Sequence, residues 1–362
     1  MSTLSTKTEY RLLTKRNRAL PVGDLIRRLC GAFVLLWTGN AAYAAGRPTL
    51  DLVELVTGAD VIVVGQVEGI RETSRGTLEI NGNRLESAVL EGYIVVADVL
   101  KGSPLPERIP LSFTFPITPA GGVGYRGIPD RSFRLVFLKR SARGFDFVSP
   151  YYPSFPAVRG FVSLGGNTID QVLHQLAAAL DSPQIPRDDR LQLLFDLRGS
   201  NSQILTSALR NALRMTKDEL LQLSIAAALL QRNDISALDI AKDALIHPKR
   251  DVPPYVLENL SSAISAGVTD QRAIPALAEI VKNAPQAYSR RSATFALRGT
   301  ASNRAVPPLL VALGDKDFEV RYYAVIGLAE ITNNVEWRPL EEDFRLHEQR
   351  YLTFWREWAA AR

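Results

Sequence analysis

Three histidines, His174, His247 and His347, are the side chains of this sequence best suited to hold a metal or move a proton near neutral pH. They stand far apart, without the H-x-x-x-H or H-E-x-x-H spacing that brings two imidazoles to one helix face. His174, inside VLHQLAAAL, reads as a helix-surface or hydrogen-bonded core residue, and His347-Glu348 is a single HE pair. The one cysteine, Cys30, falls in an apolar leader, so the chain beyond it offers no thiolate nucleophile, disulfide or sulfur-ligated metal. No G-x-S-x-G or Walker pattern occurs. The glycine-rich loop PAGGVGYRG (119–127) lacks the strand-to-helix setting and the Lys-Ser/Thr pair of a phosphate cradle. It reads as a flexible hairpin loop with Tyr125 and Arg126 at its tip, placed to touch a partner. Carboxylates are plentiful, yet no stretch isolates a pair in an apolar setting. The sequence thus assigns no catalytic, cofactor-binding or metal-binding residue, and no cofactor.

Charge narrows the partner class. Seven of the 43 basic and two of the 38 acidic residues lie in positions 1–44, which leaves 36 of each sign in the rest of the chain. The formal +5 therefore belongs to the leader, and a neutral body gives no electrostatic case for nucleic acid. Within that leader Arg27 and Arg28 precede the apolar run LCGAFVLLW, and TGNAAYA ends in small residues with Ala42 and Ala44 flanking Tyr43. Basic flank, short apolar stretch and small-residue exit predict a signal peptide over 1–44, hence a periplasmic or secreted protein. The run is shorter than the roughly 20 residues of a membrane span, so no transmembrane segment is expected in the mature chain.

Two kinds of element must position whatever the chain presents. Over 45–165 the period is that of strands. A short helical opener, TLDLVELVTGAD, has Thr49 as its expected N-cap and Asp51 at the positive end of the helix dipole. Runs at 61–70, 93–100, 109–115, 133–139 and 145–149 follow. In 109–115, Ile109, Leu111, Phe113 and Phe115 alternate with Pro110, Ser112 and Thr114. Several short strands with Gly/Asn turns predict a small antiparallel barrel or sandwich. The aromatic stretch YYPSF (151–155) is expected to tuck against it or against the seam with the next region.

From Thr168 the period becomes helical, with segments at 169–181, 188–198, 202–214, 217–231, 235–246, 254–265, 270–283, 287–298, 304–313 and 317–332. RAIPALAEIV (272–281) aligns with RAVPPLLVAL (304–313), and RRSATFALRG (290–299) with RYYAVIGLAE (321–330). Such internal repetition predicts stacked helical hairpins over 166–335, each burying its apolar face on the next. Asp315 or Asp317 caps the second helix of the clearest hairpin, and Ala324 and Gly327 are small so that a neighbour can lie close. Phe344, Tyr351, Trp355 and Trp358 recur at 7, 4 and 3 residues and predict an aromatic helix over 336–362 that closes the stack.

AVPPLLVALGDKDFEVRYYAVIGLAEI (305–331) resembles HEAT repeats of the short phycobilin-lyase type, as does 272–300 more weakly. The resemblance implies an α-α solenoid and an arginine ladder in which Arg321 pairs with Asp315 or Asp317. Arg290 holds the equivalent position, but its own turn NAPQAY lacks an acid. ADVIVVGQV, YIVVADVLKG and FRLVFLK in turn resemble exported OB barrels of the netrin/metalloprotease-inhibitor type, without the N-terminal cysteine through which those inhibitors act. The fold expected is therefore α+β and multidomain: an OB-like antiparallel barrel followed by an α-solenoid. The function expected is a non-enzymatic exported scaffold that binds a protein or peptide, with Arg290, Arg321 and Tyr322 as candidate contacts. Two alternatives stay open: a chromophore-lyase-like enzyme or enzyme-associated module using the solenoid groove, and a hydrolase inhibitor acting through the barrel.

Overall fold

A computed structural model describes residues 50–80, 83–102, 105–117, 128–142, 144–149, 152–161 and 166–362. Ala42, Ala44, Tyr125, Arg126 and the whole of the expected signal peptide lie outside the described residues. The first helix, α1 (Leu52–Gly58), is capped by Asp51, whose carboxylate accepts the Glu54 N–H at 3.0 Å. The cap is thus Asp51 rather than Thr49, because the helix begins at Leu52. Leu52, Leu55 and Val56 point one way into the core. At the other end, Lys101 donates to the carbonyls of Val56 (2.9 Å) and Thr57 (3.4 Å), placing a cation on the negative end of the helix. Gly102 follows at φ +87°, where a Cβ would sit 2.6 Å from the Asp60 carbonyl oxygen.

One antiparallel sheet carries β1 (Val61–Ile80), β2 (Asn83–Lys101), β3 (Arg108–Pro116), β4 (Phe133–Ser141), β5 (Gly144–Phe147) and β6 (Ser154–Pro156). Their order is β3-β2-β1-β4-β5, with β6 also on β4. The centre of β1 and β4 does not alternate in hydrophobicity because both of its faces are covered. Val61, Val63, Val67, Val136 and Leu138 join Ile94, Ile109 and Leu111 in one core. Ile62, Val64, Leu135 and Phe137 face the other way, toward α1, Tyr152, Phe155 and the first long helices.

Two sequence expectations change here. The runs at 61–70 and 93–100 are only the inner ends of β1 and β2, which continue outward as a paired ribbon to Ile80 and Asn83. Arg71 to Thr77 are exposed, so this outer part has no hydrophobic alternation to betray it. The expected closed barrel is not formed by the ladders: the sheet is open, and no strand pairing joins β3 to β5 among the described residues. The two edges nonetheless approach, with Phe113 and Phe147 edge-to-face at 5.2 Å.

Eleven helices follow: α2 (Thr168–Asp181), α3 (Arg187–Asp196), α4 (Gln203–Met215), α5 (Glu219–Leu230), α6 (Leu238–Ile246), α7 (Pro254–Gly267), α8 (Ile274–Asn283), α9 (Ala287–Gly299), α10 (Val306–Ala312), α11 (Phe318–Ile331) and α12 (Glu341–Ala360). Consecutive helices form hairpins, and alternate helices form layers. One layer runs α3, α5, α7, α9, α11, each touching the next. In the other, α2 packs on α4, and α6, α8, α10 and α12 follow one another. Short 3-10 turns lead into α6, α8 and α10, with Asp234, Asp270 and Ser302 each accepting a backbone N–H two residues on. Close approach sets residue size. A Cβ at Gly267 would collide with the Leu230 carbonyl and lie 2.6 Å from the Gln231 Cα, and one at Gly327 would lie 3.0 Å from Leu309.

The helices and the sheet share one contiguous core, from α1 to Trp355. β6, which takes in Ser154 and Phe155 of YYPSF, touches α2 and α3, and Phe155 meets Phe137 edge-to-face at 5.9 Å. Arg134 of β4 and Asp189 of α3 add an ion pair at 3.4 Å across this seam.

Ala301 offers a test of the turn geometry. Asn233, Ala301 and Asn333 each precede a 3-10 turn in the left-handed region, at φ +57°, +49° and +58°. Asparagine and glycine tolerate that region, whereas alanine is strained by roughly 1 kcal/mol. Ala301→Gly is expected to raise stability by about 0.5–1 kcal/mol in denaturant titration. A neutral or destabilising result would mean that the turn relaxes at no cost.

Candidate interaction face

The layer formed by α3, α5, α7, α9 and α11 is called here the B layer. Within 219–230, 287–298 and 318–331 every residue of that layer is buried or half-buried, and none is fully exposed. The shelter does not extend to α7 of the same layer, where Tyr255, Glu258 and Asn259 are exposed, nor to α8 of the opposite one, where Pro275, Glu279 and Lys282 are. The half-buried side chains of α5, α9 and α11 are of the kind a partner can cover without displacing the core.

Apart from the two loop residues outside the described part, the sequence-predicted contacts fall on this layer, and the structure separates their roles. Arg290 is buried. Its guanidinium makes a two-pronged pair with Asp315, Nε to Oδ2 at 2.7 Å and Nη2 to Oδ1 at 2.9 Å, while Nη1 donates to the carbonyls of Ala284 and Pro285. Arg321 donates to the Asp315 carbonyl at 2.8 Å and pairs with Glu348 of α12. The expected pairing of Arg321 with Asp315 or Asp317 is therefore corrected: each arginine reaches its own turn through a carbonyl and takes its acid from the next element along the stack. Asp317 caps α11, accepting from the N–H groups of Glu319 and Val320 at 3.1 Å. It also holds Arg291, whose third nitrogen reaches Glu319 at 2.6 Å.

These partners set the charges. Burial works against the Asp315 carboxylate, but the Arg290 hydrogen bonds and the Asp317 N–H outweigh it and hold its pKa below the ordinary value. For Asp317 the Arg291 hydrogen bond is the main cause of the same lowering, against burial. Arg298 pairs with Glu330, which also takes Arg338 at 2.7 Å.

What remains open on the face is aromatic. Tyr322 packs between Phe318, Tyr323 and Phe344, and Tyr323 meets Phe295 edge-to-face at 5.6 Å. Burial pushes the hydroxyls of Tyr322 and Tyr323 up, so both are neutral hydrogen-bond donors at physiological pH. Tyr288, on the first turn of α9, is pushed up by burial and then by the Glu258 charge on α7. Of Arg290, Arg321 and Tyr322, only Tyr322 is thus not tied into an ion pair. Tyr288, Arg291, Phe295 and Tyr323 were not singled out from sequence. RYY (321–323) carried part of the signal, whereas Arg291 has a tyrosine at the equivalent place in the next repeat.

His347 lies at a break in α12, at φ −127° and ψ 28°, with Nδ1 3.0 Å from Asp343, which also accepts from the Tyr351 hydroxyl. No group of three or more metal-ligating side chains occurs among the described residues. None of their helices is long and apolar enough to cross a membrane.

The family model for HEAT repeats matches residues 270–356, from the turn before α8 into α12. This agrees with the resemblance read over 272–331. Residues 50–165 lie outside the match, and their likeness to an OB barrel rests on the sequence pattern alone. No curated protein matches the chain.

Proposed function

We propose that the chain is an exported, non-enzymatic scaffold that holds a protein or peptide along its B layer. HEAT repeats generally mediate protein–protein interaction. The observation that carries the reading is the sheltered aromatic strip of Phe295, Tyr322 and Tyr323, bordered by side chains already locked in ion pairs. Tyrosines bring large contact area with few rotors and a hydroxyl for hydrogen bonding, as binding surfaces require. The leader pattern before Ala44 supports export, and a neutral body favours a protein over a nucleic acid. The approach of Phe113 to Phe147 supports a barrel-like curl of the N-terminal sheet, which presents the solenoid rather than acting itself.

The test is affinity capture from the exported fraction of the producing cells, with N-terminal sequencing of the protein recovered there. Wild type is expected to retain a stoichiometric partner and to begin at Ala45. A Tyr322→Ala/Tyr323→Ala double variant with unchanged circular dichroism is expected to lose that partner. Retention by the variant would remove the B layer from the interaction, and an uncleaved leader would remove export.

A further inference from the structure

On α7, α9 and α11 there are seven charged side chains: Glu258, Arg290, Arg291, Arg298, Glu319, Arg321 and Glu330. Six are matched, Arg290 with Asp315, Arg291 with Asp317 and Glu319, Arg298 with Glu330, and Arg321 with Glu348. Glu258 alone on these helices has no ion-pair partner among the described residues, and it is exposed. Its surroundings are specific. Tyr255, one helical turn earlier on α7, is 57% exposed although large and apolar. Ser261, the next turn on, is hydrogen-bonded to Ser289 of α9 at 3.1 Å, fixing the two helices together beside Tyr288. The Glu258 carboxylate thus stands one turn from an exposed aromatic ring on its own helix, and near enough to the half-buried Tyr288 on the next for its charge to act on that hydroxyl.

We infer that Tyr255, Glu258 and Tyr288 form a subsite for a cationic side chain, an arginine above all, of the peptide held along the B layer. The chemistry is complementary: a planar guanidinium stacks on an aromatic face and takes the carboxylate at its edge. The chain supplies no cation of its own on these helices to occupy the place, since every arginine there is engaged. A partner of net positive charge at one position therefore fits this end of the face, and the aromatic strip of Phe295, Tyr322 and Tyr323 takes the apolar remainder.

The inference rests on the B layer being the binding face, so the experiment separates the two. Immobilised full-length protein is offered a randomised peptide library with arginine fixed at its centre, and the same library with isosteric, uncharged citrulline there. Wild type is expected to enrich the arginine library about tenfold over the citrulline one, an effect of the size that combined cation–π and charge contacts give. Glu258→Gln is expected to bring the ratio close to unity, Tyr255→Ala to lower it, and Asp251→Asn, at an exposed carboxylate outside the helices, to leave it unchanged. A ratio that survives Glu258→Gln overturns the subsite. If both libraries bind equally and both are lost in Tyr322→Ala/Tyr323→Ala, the subsite falls while the binding face stands. If neither library is retained the subsite falls as well, and partner capture alone then decides the face.

Discussion

Arg290→Met is expected to destabilise the protein by about 3–5 kcal/mol, because it leaves the Asp315 carboxylate buried without its partner. The side chains of Arg290 and Asp315 are 6% and 10% exposed, so water cannot take over the lost hydrogen bonds. The carbonyls of Ala284 and Pro285 lose their donor in the same step. An Arg290→Met/Asp315→Leu double variant, which removes both charges, is expected to recover much of the loss. The dependence on pH gives the sign. In the native protein the Asp315 pKa lies below its unfolded value, so its contribution is fully present above the ordinary aspartate pKa. That contribution is lost as pH falls through the lower, folded value. In Arg290→Met only the Asp317 N–H still opposes burial, so the same pKa rises and the variant gains relative stability as the carboxylate protonates. Urea titrations from pH 7 down to pH 3 should therefore show the gap between wild type and variant narrowing. A constant gap would mean that the arginine matters for its packing and not for its charge.

The same pair shows what was and was not legible in the sequence. The helices from Thr168 onward could be read because small and large apolar residues recur at helical spacing and because two segments repeat. The partner of Arg290 could not be read within its own hairpin, since the acid belongs to the following turn. A comparison of repeats does carry it. Arg290 donates to the Ala284 carbonyl as Arg321 does to that of Asp315, so the two arginines occupy equivalent places, and each takes its carboxylate from the element stacked next. The position that holds Ala284 in one turn holds Asp315 in the next, which leaves the stack before α9 without a carboxylate at that level. Elsewhere the signal is absent for physical reasons. The outer ribbon of β1 and β2 is exposed and polar, so hydrogen bonding rather than burial defines it. β6 begins at the end of YYPSF, and a strand of three residues preceded by Pro153 and ending in Pro156 has no period to detect. Glu258 is an ordinary glutamate in the sequence and becomes distinctive only when every other charge on α7, α9 and α11 is seen to be paired.

Trp355→Ala is the second large effect, expected at about 3–5 kcal/mol, the range for removing a fully buried large aromatic side chain. Trp355 is 0% exposed and lies in the core with Phe344, Tyr351 and Leu352, edge-to-face with Phe354 at 5.1 Å and Trp358 at 5.3 Å. Its indole Nε1 is buried without a hydrogen-bond partner among the described residues, so the side chain contributes through volume and contact. Trp355→Phe is accordingly expected to cost less than half as much, because it keeps a ring and removes an unsatisfied donor. The position of the loss follows from the architecture. Among the described residues α12 packs chiefly on α10, α11 and Trp337 of the turn before it, stacked on Phe354 at 3.6 Å, so in a stack stabilised by nearest neighbours the damage should begin at this end. Amide hydrogen exchange in Trp355→Ala should rise first over α12 and α11, then over α10, while the paired centre of β1 and β4 keeps its protection. If exchange rises equally in the sheet and in the last hairpin, the single contiguous core that joins them unfolds as one unit. The helices beyond Thr168 would then be a cooperative extension of the sheet and not a row of separable repeats.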